Sequence, residues 1–128
     1  MFNNSQEIQI PKMFITLLNQ LFEIERKLGE SGEYEKISRN VERMKDVFCS
    51  EISPQSTNTE IFYENPMGQT YDETRNDLDA HIVGEATENL VVVDVIKPII
   101  RVGNRQQGLT KVVQRAMVTV ESKVIGKE

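Results

Sequence analysis

The chain has 128 residues, 38% of them hydrophobic, and a formal net charge of −5. This length predicts one ordinary domain or two very small ones, and the acidic balance argues against a nucleic-acid-binding protein, which needs a basic face. Because Cys49 is the only cysteine, an internal disulfide is excluded.

The sequence has no pattern that predicts a membrane or an export signal. Residues 1–12 lack a basic region followed by a long apolar run, and no stretch reaches the roughly 18 apolar residues of a membrane span. A lone cysteine is typical of a reducing compartment. We therefore expect a soluble, cytoplasmic protein with neither a membrane nor a nucleic acid as its partner.

Two amphipathic helices are predicted after a flexible segment over residues 1–10. In the first, over residues 11–29, Pro11 suits the first helical position and Gly29 is typical of a helix end. In the second, over residues 33–49, apolar residues again recur at spacings of three and four. The short connection between them predicts an antiparallel hairpin.

The apolar stripes of both helices are too broad to be buried by packing only on each other. We therefore expect two copies of the chain to pair their hairpins, over residues 11–50, into a dimeric four-helix bundle. The predicted dimerisation residues are Leu17, Leu21, Ile24, Leu28, Ile37, Val41 and Met44.

A β-rich head is predicted over residues 61–122, joined to the helices by a polar linker over residues 51–60. Runs of β-branched residues predict three main strands, over residues 91–96, 99–102 and 111–121. The predicted fold class is therefore α+β, with a helical base followed by a small C-terminal β-rich head.

Shorter elements are predicted before and between these strands. Short strands are expected over residues 61–63 and 81–83, and Asp72 is placed to cap a short helix over about residues 73–80. Pro98 predicts that the strand after it lies at a sheet edge, or that the chain breaks or bulges there.

No catalytic or metal-binding centre is predicted. His81 is the only histidine, and a dyad with Cys49 would require the helical and β-rich parts to meet. Cys49 lies at the end of an apolar helical stripe and is interpreted as a structural residue. Metal sites of the soft type need clusters of cysteine and histidine. We therefore expect a binding protein without cofactor or metal, rather than an enzyme.

Charged residues of the head are interpreted as surface residues. The acidic ones lack the glycine and the regular alternation of an EF-hand loop and fit capping and solvated positions. The basic ones fit a solvated sheet edge that discourages strand pairing. The acidic residues are Asp72, Glu73, Asp77 and Asp79, and the basic residues are Arg101, Arg105, Lys111 and Arg115.

Three segments of the head carry short motifs: RAMVTV at Arg115–Val120, GQTYD at Gly68–Asp72 and VVVDVIK at Val91–Lys97. Together with the hairpin Leu17–Phe48, they resemble the GrpE family, the nucleotide exchange factors of DnaK-type chaperones. The first is similar to the family's closing strand, the second to its Gly-x-x-Phe-Asp segment, and the third to the strand before its Gly-Tyr turn. The resemblance covers about residues 14–121.

The resemblance implies a function without a catalytic step. The head would bind the nucleotide-binding domain of a DnaK-type chaperone, open its cleft and promote ADP release. It also implies a homodimer and four partner-binding residues. These are Val95, Lys111, Met117 and Val120.

Other interpretations stay open. The two valines also fit the core or a sheet face, and Lys111 also fits edge solvation. The whole chain also fits a homodimeric interaction or assembly module without exchange activity, which presents a sheet edge to a partner. A small enzyme with an unrecognised site is the third alternative.

Overall fold

Both described helices come before all seven described strands along the chain. The computed structural model describes residues 12–50, 60–104 and 106–123, apart from the side chains of Cys49 and Ser50. The helices are α1 (Lys12–Ser31) and α2 (Tyr34–Ser50). The strands are β1 (Glu60–Glu64), β2 (Thr70–Tyr71), β3 (Leu78–Ile82), β4 (Leu90–Lys97), β5 (Ile99–Asn104), β6 (Leu109–Gln114) and β7 (Ala116–Ser122).

Several predicted features lie outside the described residues. They are the predicted flexible segment over residues 1–10, the helix start at Pro11, the predicted linker over residues 51–59 and the side chains of Cys49 and Arg105. Glu60, the last residue of the predicted linker, opens β1.

The first helix ends at a different glycine from the predicted one. It runs past Gly29 to Ser31, and Gly32 then turns the chain with a φ of 80°. The Glu33 N–H donates to the Leu28 carbonyl (3.0 Å) and the Gly32 N–H donates to the Gly29 carbonyl (3.3 Å). These two bonds form a Schellman motif, whose left-handed residue favours glycine.

One long β-hairpin, bent in the middle, builds both sheets. Only Pro98 separates β4 from β5, and only Arg115 separates β6 from β7. The outer half, β5 with β6, joins β1 in a three-stranded sheet of order β1-β5-β6. The base half, β4 with β7, lies in a four-stranded sheet of order β2-β4-β7-β3. Each arm of the hairpin therefore changes sheet at a corner.

The corner corrects one prediction and decides between the alternatives of another. The single strand predicted over residues 111–121 is two strands, β6 and β7, because the chain turns at Arg115. The break predicted as one outcome at Pro98 is present, but the following strand β5 is central in its sheet rather than an edge. The Gln114 side-chain amide donates to the Pro98 carbonyl (3.0 Å) and ties the two arms together at the bend.

The central strand of the three-stranded sheet, β5, is buried on both faces. Ile99 and Ile100 are adjacent on β5, so their side chains point to opposite faces, yet their exposed fractions are 1% and 0%. Ile100 packs with Leu18 of α1 and Phe48 of α2. Ile99 packs instead with residues of the four-stranded sheet, which are Leu78, Leu90, Val92, Val95, Ala116, Val118 and Val120.

The predicted dimeric four-helix bundle is wrong. The helices lie against the strands of the same chain, where Leu18 and Phe48 pack with β1 and β5 and Phe22 packs with the four-stranded sheet. The breadth of the apolar stripes was the reason to expect a second copy. Part of that apolar surface is instead buried by the β-rich part.

This packing buries some of the predicted dimerisation residues and leaves the others exposed. Leu21 and Val41 are buried within the chain, with 4% and 0% of their surface exposed, and Leu28 and Ile37 are half-buried. The other three remain exposed on the helices. They are Leu17, Ile24 and Met44.

The short helix predicted over residues 73–80 is also wrong. Asp72 does cap a turn, since its carboxylate accepts the Thr74 N–H (2.8 Å) and its carbonyl accepts the Arg75 N–H (3.1 Å). Beyond this turn the chain is extended and forms β3. Ion pairs from Arg75 (2.9 Å) and Arg101 (2.9 Å) hold the Asp77 carboxylate just before that strand.

Candidate protein-docking face

The candidate site is the face of the four-stranded sheet that points away from the core, here named the outer face. The opposite face of the same strands points into the core. Val92, Val95 and Val118 on that face are each 1% exposed. The outer face comprises Asp79 and His81 of β3, Val93, Asp94, Ile96 and Lys97 of β4, and Met117 and Thr119 of β7.

Two β-bulges shape β4 at this face. The register between β4 and β7 shifts between Val92 and Asp94, and again between Val95 and Lys97. Each bulge inserts one extra residue. Strict alternation from Val92 would turn Asp94 into the core and Val95 out of it. The bulges therefore keep Val92 and Val95 inside and Asp94 outside.

The inserted residues are apolar and exposed. Val93 is 42% exposed and Ile96 is 45% exposed. Met117, on the adjacent strand β7, is 41% exposed. The outer face thus carries three large apolar side chains on its two central strands, although each bulge could have been filled by a polar residue.

Charged residues stand in register with the centre of the outer face. Met117 lies opposite Lys97 on one side and Asp79 on the other. Thr119, two residues along β7, lies opposite Asp94 and His81 in the same way. The apolar side chains are therefore interleaved with two carboxylates and one ammonium group, a mixture that suits a protein surface better than an apolar ligand.

The predicted partner-binding residues do not come together. Met117 lies on the outer face, whereas Val95 and Val120 are in the core at 1% and 0% exposure. Lys111 is exposed on β6, in the other sheet. Val93 and Ile96 were missed. A regular strand with Asp94 outward would also turn Ile96 outward but would bury Val93, so the exposure of Val93 had no signal in the sequence.

An ion-pair network joins the two sheets beside this face. Arg101 of β5 donates to Glu64 of β1 (2.9 Å) and to Asp77 (2.9 Å), and Arg75 donates to the same aspartate at 2.9 Å. The Arg75 hydrogen bond holds the pKa of Asp77 below its usual range. The interpretation of Arg101 as a solvated edge residue is therefore wrong.

A second polar cluster fixes the helices to β1. The Glu25 carboxylate accepts hydrogen bonds from the Tyr63 hydroxyl, the Tyr34 hydroxyl (3.3 Å) and Lys45 Nζ (3.3 Å). These residues line a cavity of about 390 Å³. Burial and the nearby carboxylates raise the pKa of Tyr34 to about 12 and raise that of Tyr63 as well. Both phenols are therefore protonated at neutral pH and donate to the Glu25 carboxylate.

Other kinds of site lack support in the described chain. Over residues 12–50, 60–104 and 106–123, the histidine, cysteine, aspartate and glutamate side chains form no group of three or more that could hold a metal ion. Neither described helix is at once long and apolar enough to cross a membrane.

No protein-family model, no curated protein and no solved structure matches this chain. Its function is therefore inferred from the outer face, from the sheet edges and from the short motifs that lie on them.

Proposed function

We propose that this chain is a GrpE-like nucleotide exchange or co-chaperone protein that binds the nucleotide-binding domain of a DnaK-type chaperone through the outer face. One observation carries the proposal. The three segments that resemble the family are far apart in sequence, yet Gly68–Asp72 contains β2, Val91–Lys97 covers most of β4, and Arg115–Val120 covers most of β7. These strands are neighbours in the order β2-β4-β7.

The composition of the outer face supports binding to a protein. Interfaces combine an apolar centre with a polar rim, and exposed apolar patches mark such sites. Ile96 and Met117 supply apolar surface on the central strands, and Lys97 and Asp79 flank Met117. A partner surface with matching apolar and charged groups would bury the former and pair with the latter.

The proposed mechanism is differential binding. A factor that binds the open, nucleotide-poor state of a chaperone more tightly than the closed state shifts the population toward the open state and releases ADP. Each tenfold preference corresponds to about 1.4 kcal/mol. No proton or chemical group is transferred, so no catalytic residue is required. A sheet held by the Arg101 ion pairs would present its outer face with little rearrangement.

The test is ADP release from a DnaK-type chaperone loaded with fluorescently labelled ADP. We expect a saturating amount of the wild-type chain to accelerate release, and Met117→Asp to abolish the acceleration. The matched control is Leu109→Asp, which changes another exposed apolar residue, 66% exposed, in the three-stranded sheet. Equal loss of activity in the two variants, or no acceleration by the wild type, would overturn the proposal.

A second candidate is an interaction module without exchange activity. Pro98-Ile99 stands where the resembled family has its Gly-Tyr turn, and here it forms the corner between β4 and β5. A surface altered at this corner could bind a chaperone without opening it. Binding that depends on Met117 but leaves the ADP release rate unchanged would favour this candidate.

A further inference from the structure

We propose that the free edge of β3 binds an extended peptide segment of a partner protein, in which apolar and basic residues alternate, as an added strand of the four-stranded sheet. This site is an edge rather than the outer face. It needs no chaperone, and it goes beyond the function proposed above.

Among the described residues, the position of β3 leaves one side of the strand open. It is the last strand in the order β2-β4-β7-β3, and within the described part of the chain it is paired with β7 alone. The opposite edge strand, β2, has two residues, whereas β3 has five. The longer edge offers room for a peptide strand.

The hydrogen-bond pattern shows which backbone groups face outward. The Val83 N–H donates to the Val120 carbonyl (2.9 Å), and the Asp77 carbonyl accepts from the Ala116 N–H (3.0 Å). Successive residues of an extended strand direct their N–H and C=O groups to opposite sides. The odd-numbered residues of β3 therefore face β7, and the backbone groups of Ala80 and Ile82 point away from it.

Three common protections of an edge strand are missing from β3, although the strand carries the charged Asp79. Proline, lysine and bulges typically prevent pairing with other chains, but the strand sequence is LDAHI, and its register with β7 is regular. The Arg115 guanidinium covers one end by donating to the Leu78 carbonyl (2.8 Å). The outward groups of Ala80 and Ile82 lie beyond that contact.

Charge and burial define the occupant. Ile82 is 40% exposed, so residues of an added strand on the same side would extend the core face and should be apolar. Asp79 lies on the other face of β3, and the exposed loop after the strand carries Glu85 and Glu88. Basic residues on that side of the peptide would meet these carboxylates. Apolar and basic residues should therefore alternate along the peptide, because successive side chains of a strand point to opposite faces.

The probe is a capped hexapeptide of alternating valine and lysine, and the measurement is amide hydrogen exchange of the full chain by NMR. We expect exchange at Ala80 and Ile82 to slow at least tenfold when peptide saturates the protein. Exchange at Asp79 and His81 should stay unchanged, because these amides already face β7. Absence of binding, or slowing that does not distinguish even from odd residues, would overturn the proposal.

Two variants test the edge directly. Ala80→Pro removes an outward N–H without removing a bond to β7, and should weaken peptide binding at least tenfold. Ala86→Pro, in the loop after β3, is the matched control and should bind as the wild type does. If Ala80→Pro does not fold, Ile82→Lys places a positive charge on the edge and should weaken the lysine-containing peptide instead.

The peptide itself provides the last control. A hexapeptide N-methylated at alternate residues on its bonding side cannot donate to the Ala80 and Ile82 carbonyls, and equal affinity for it would contradict strand addition. Protection of Ala80 and Ile82 without peptide, in a protein that sediments as a dimer, would identify a second copy as the occupant and overturn the peptide assignment.

Discussion

The two sheets are built from the same bent hairpin but bury their strands differently. In the three-stranded sheet, the consecutive residues Ile99 and Ile100 of β5 are both buried, because helices cover one face and the four-stranded sheet covers the other. In the four-stranded sheet, β7 alternates, with Ala116 and Val118 buried and Met117 41% exposed. A strand covered on both sides is a continuous apolar run, and a strand covered on one side alternates. The covered sheet supports the fold, and the half-covered sheet keeps an exposed face, which we propose binds a partner.

The largest expected effect is in the covered sheet. Ile100→Ala removes a side chain with 0% exposure that packs in one cluster with Leu18 and Phe48. We expect the free energy of unfolding to fall by about 4 kcal/mol, since neighbours on both the helices and the strands would border the cavity. Urea unfolding followed by circular dichroism measures this. A cost below about 1 kcal/mol would show that this sheet is not the centre of the core.

A slightly smaller effect is expected at the tip of the hairpin. A Cβ on Gly103 would lie 2.2 Å from the Leu109 carbonyl oxygen, at a φ of +144°. Gly103→Ala should therefore cost about 3 kcal/mol, from backbone strain together with steric overlap. Gly84→Ala is the matched control, because its φ is +88° but nothing lies within 4 Å of its added Cβ. It should cost about 1 kcal/mol, and equal costs would exclude a steric role for Leu109.

Asp77→Asn tests the link between the two sheets. Its carboxylate accepts from both Arg75 and Arg101, and we expect a cost of about 1.5 kcal/mol at neutral pH. The Arg75 hydrogen bond lowers the folded-state pKa of Asp77. The carboxylate therefore stabilises the fold above the unfolded-state pKa of about 4, and this contribution is lost as the pH falls through the folded-state value.

The pH dependence of Asp77→Asn shows whether the charge of the Asp77 carboxylate is what stabilises the fold. The difference in unfolding free energy between wild type and Asp77→Asn should shrink below about pH 4. Asp79→Asn, two residues along the chain and exposed on the outer face, should change stability by less than about 0.5 kcal/mol at neutral pH. A difference for Asp77→Asn that stays constant down to low pH would show that its carboxylate charge is not the stabilising element.

Local patterns in the sequence predicted most elements of this fold. Apolar spacing identified α1 and α2, and β-branched runs identified β4 and β5 close to their observed ends. Periodicity shows which side of a helix is apolar but does not show what covers it. The stripes of α1 and α2 were therefore assigned to a second copy, although β1 and β5 cover much of them.

The corner and the bulges depend on tertiary contacts, and this limited what the sequence could predict. Arg115 lies between two strand-forming runs without a glycine or proline beside it, so the break between β6 and β7 had no local signal. Asp72 caps a turn that could equally have begun a helix. On the outer face, Met117 was named from its place in the RAMVTV motif, whereas Val93 required the register of β4 against β7.

The smallest expected effect on stability is at Met117, and it separates the two faces of one strand. Met117→Ala should change the free energy of unfolding by less than about 0.5 kcal/mol, because the side chain is 41% exposed. Val118→Ala, the next residue along β7, should cost about 2 kcal/mol, since Val118 is 1% exposed in the core. Urea unfolding of both variants measures the contrast. Similar costs would mean that the outer face is covered by part of the chain itself, and a covered face could not bind a chaperone. A stable Met117→Ala protein that no longer accelerates ADP release would instead separate the binding role of this face from the folding role of the other.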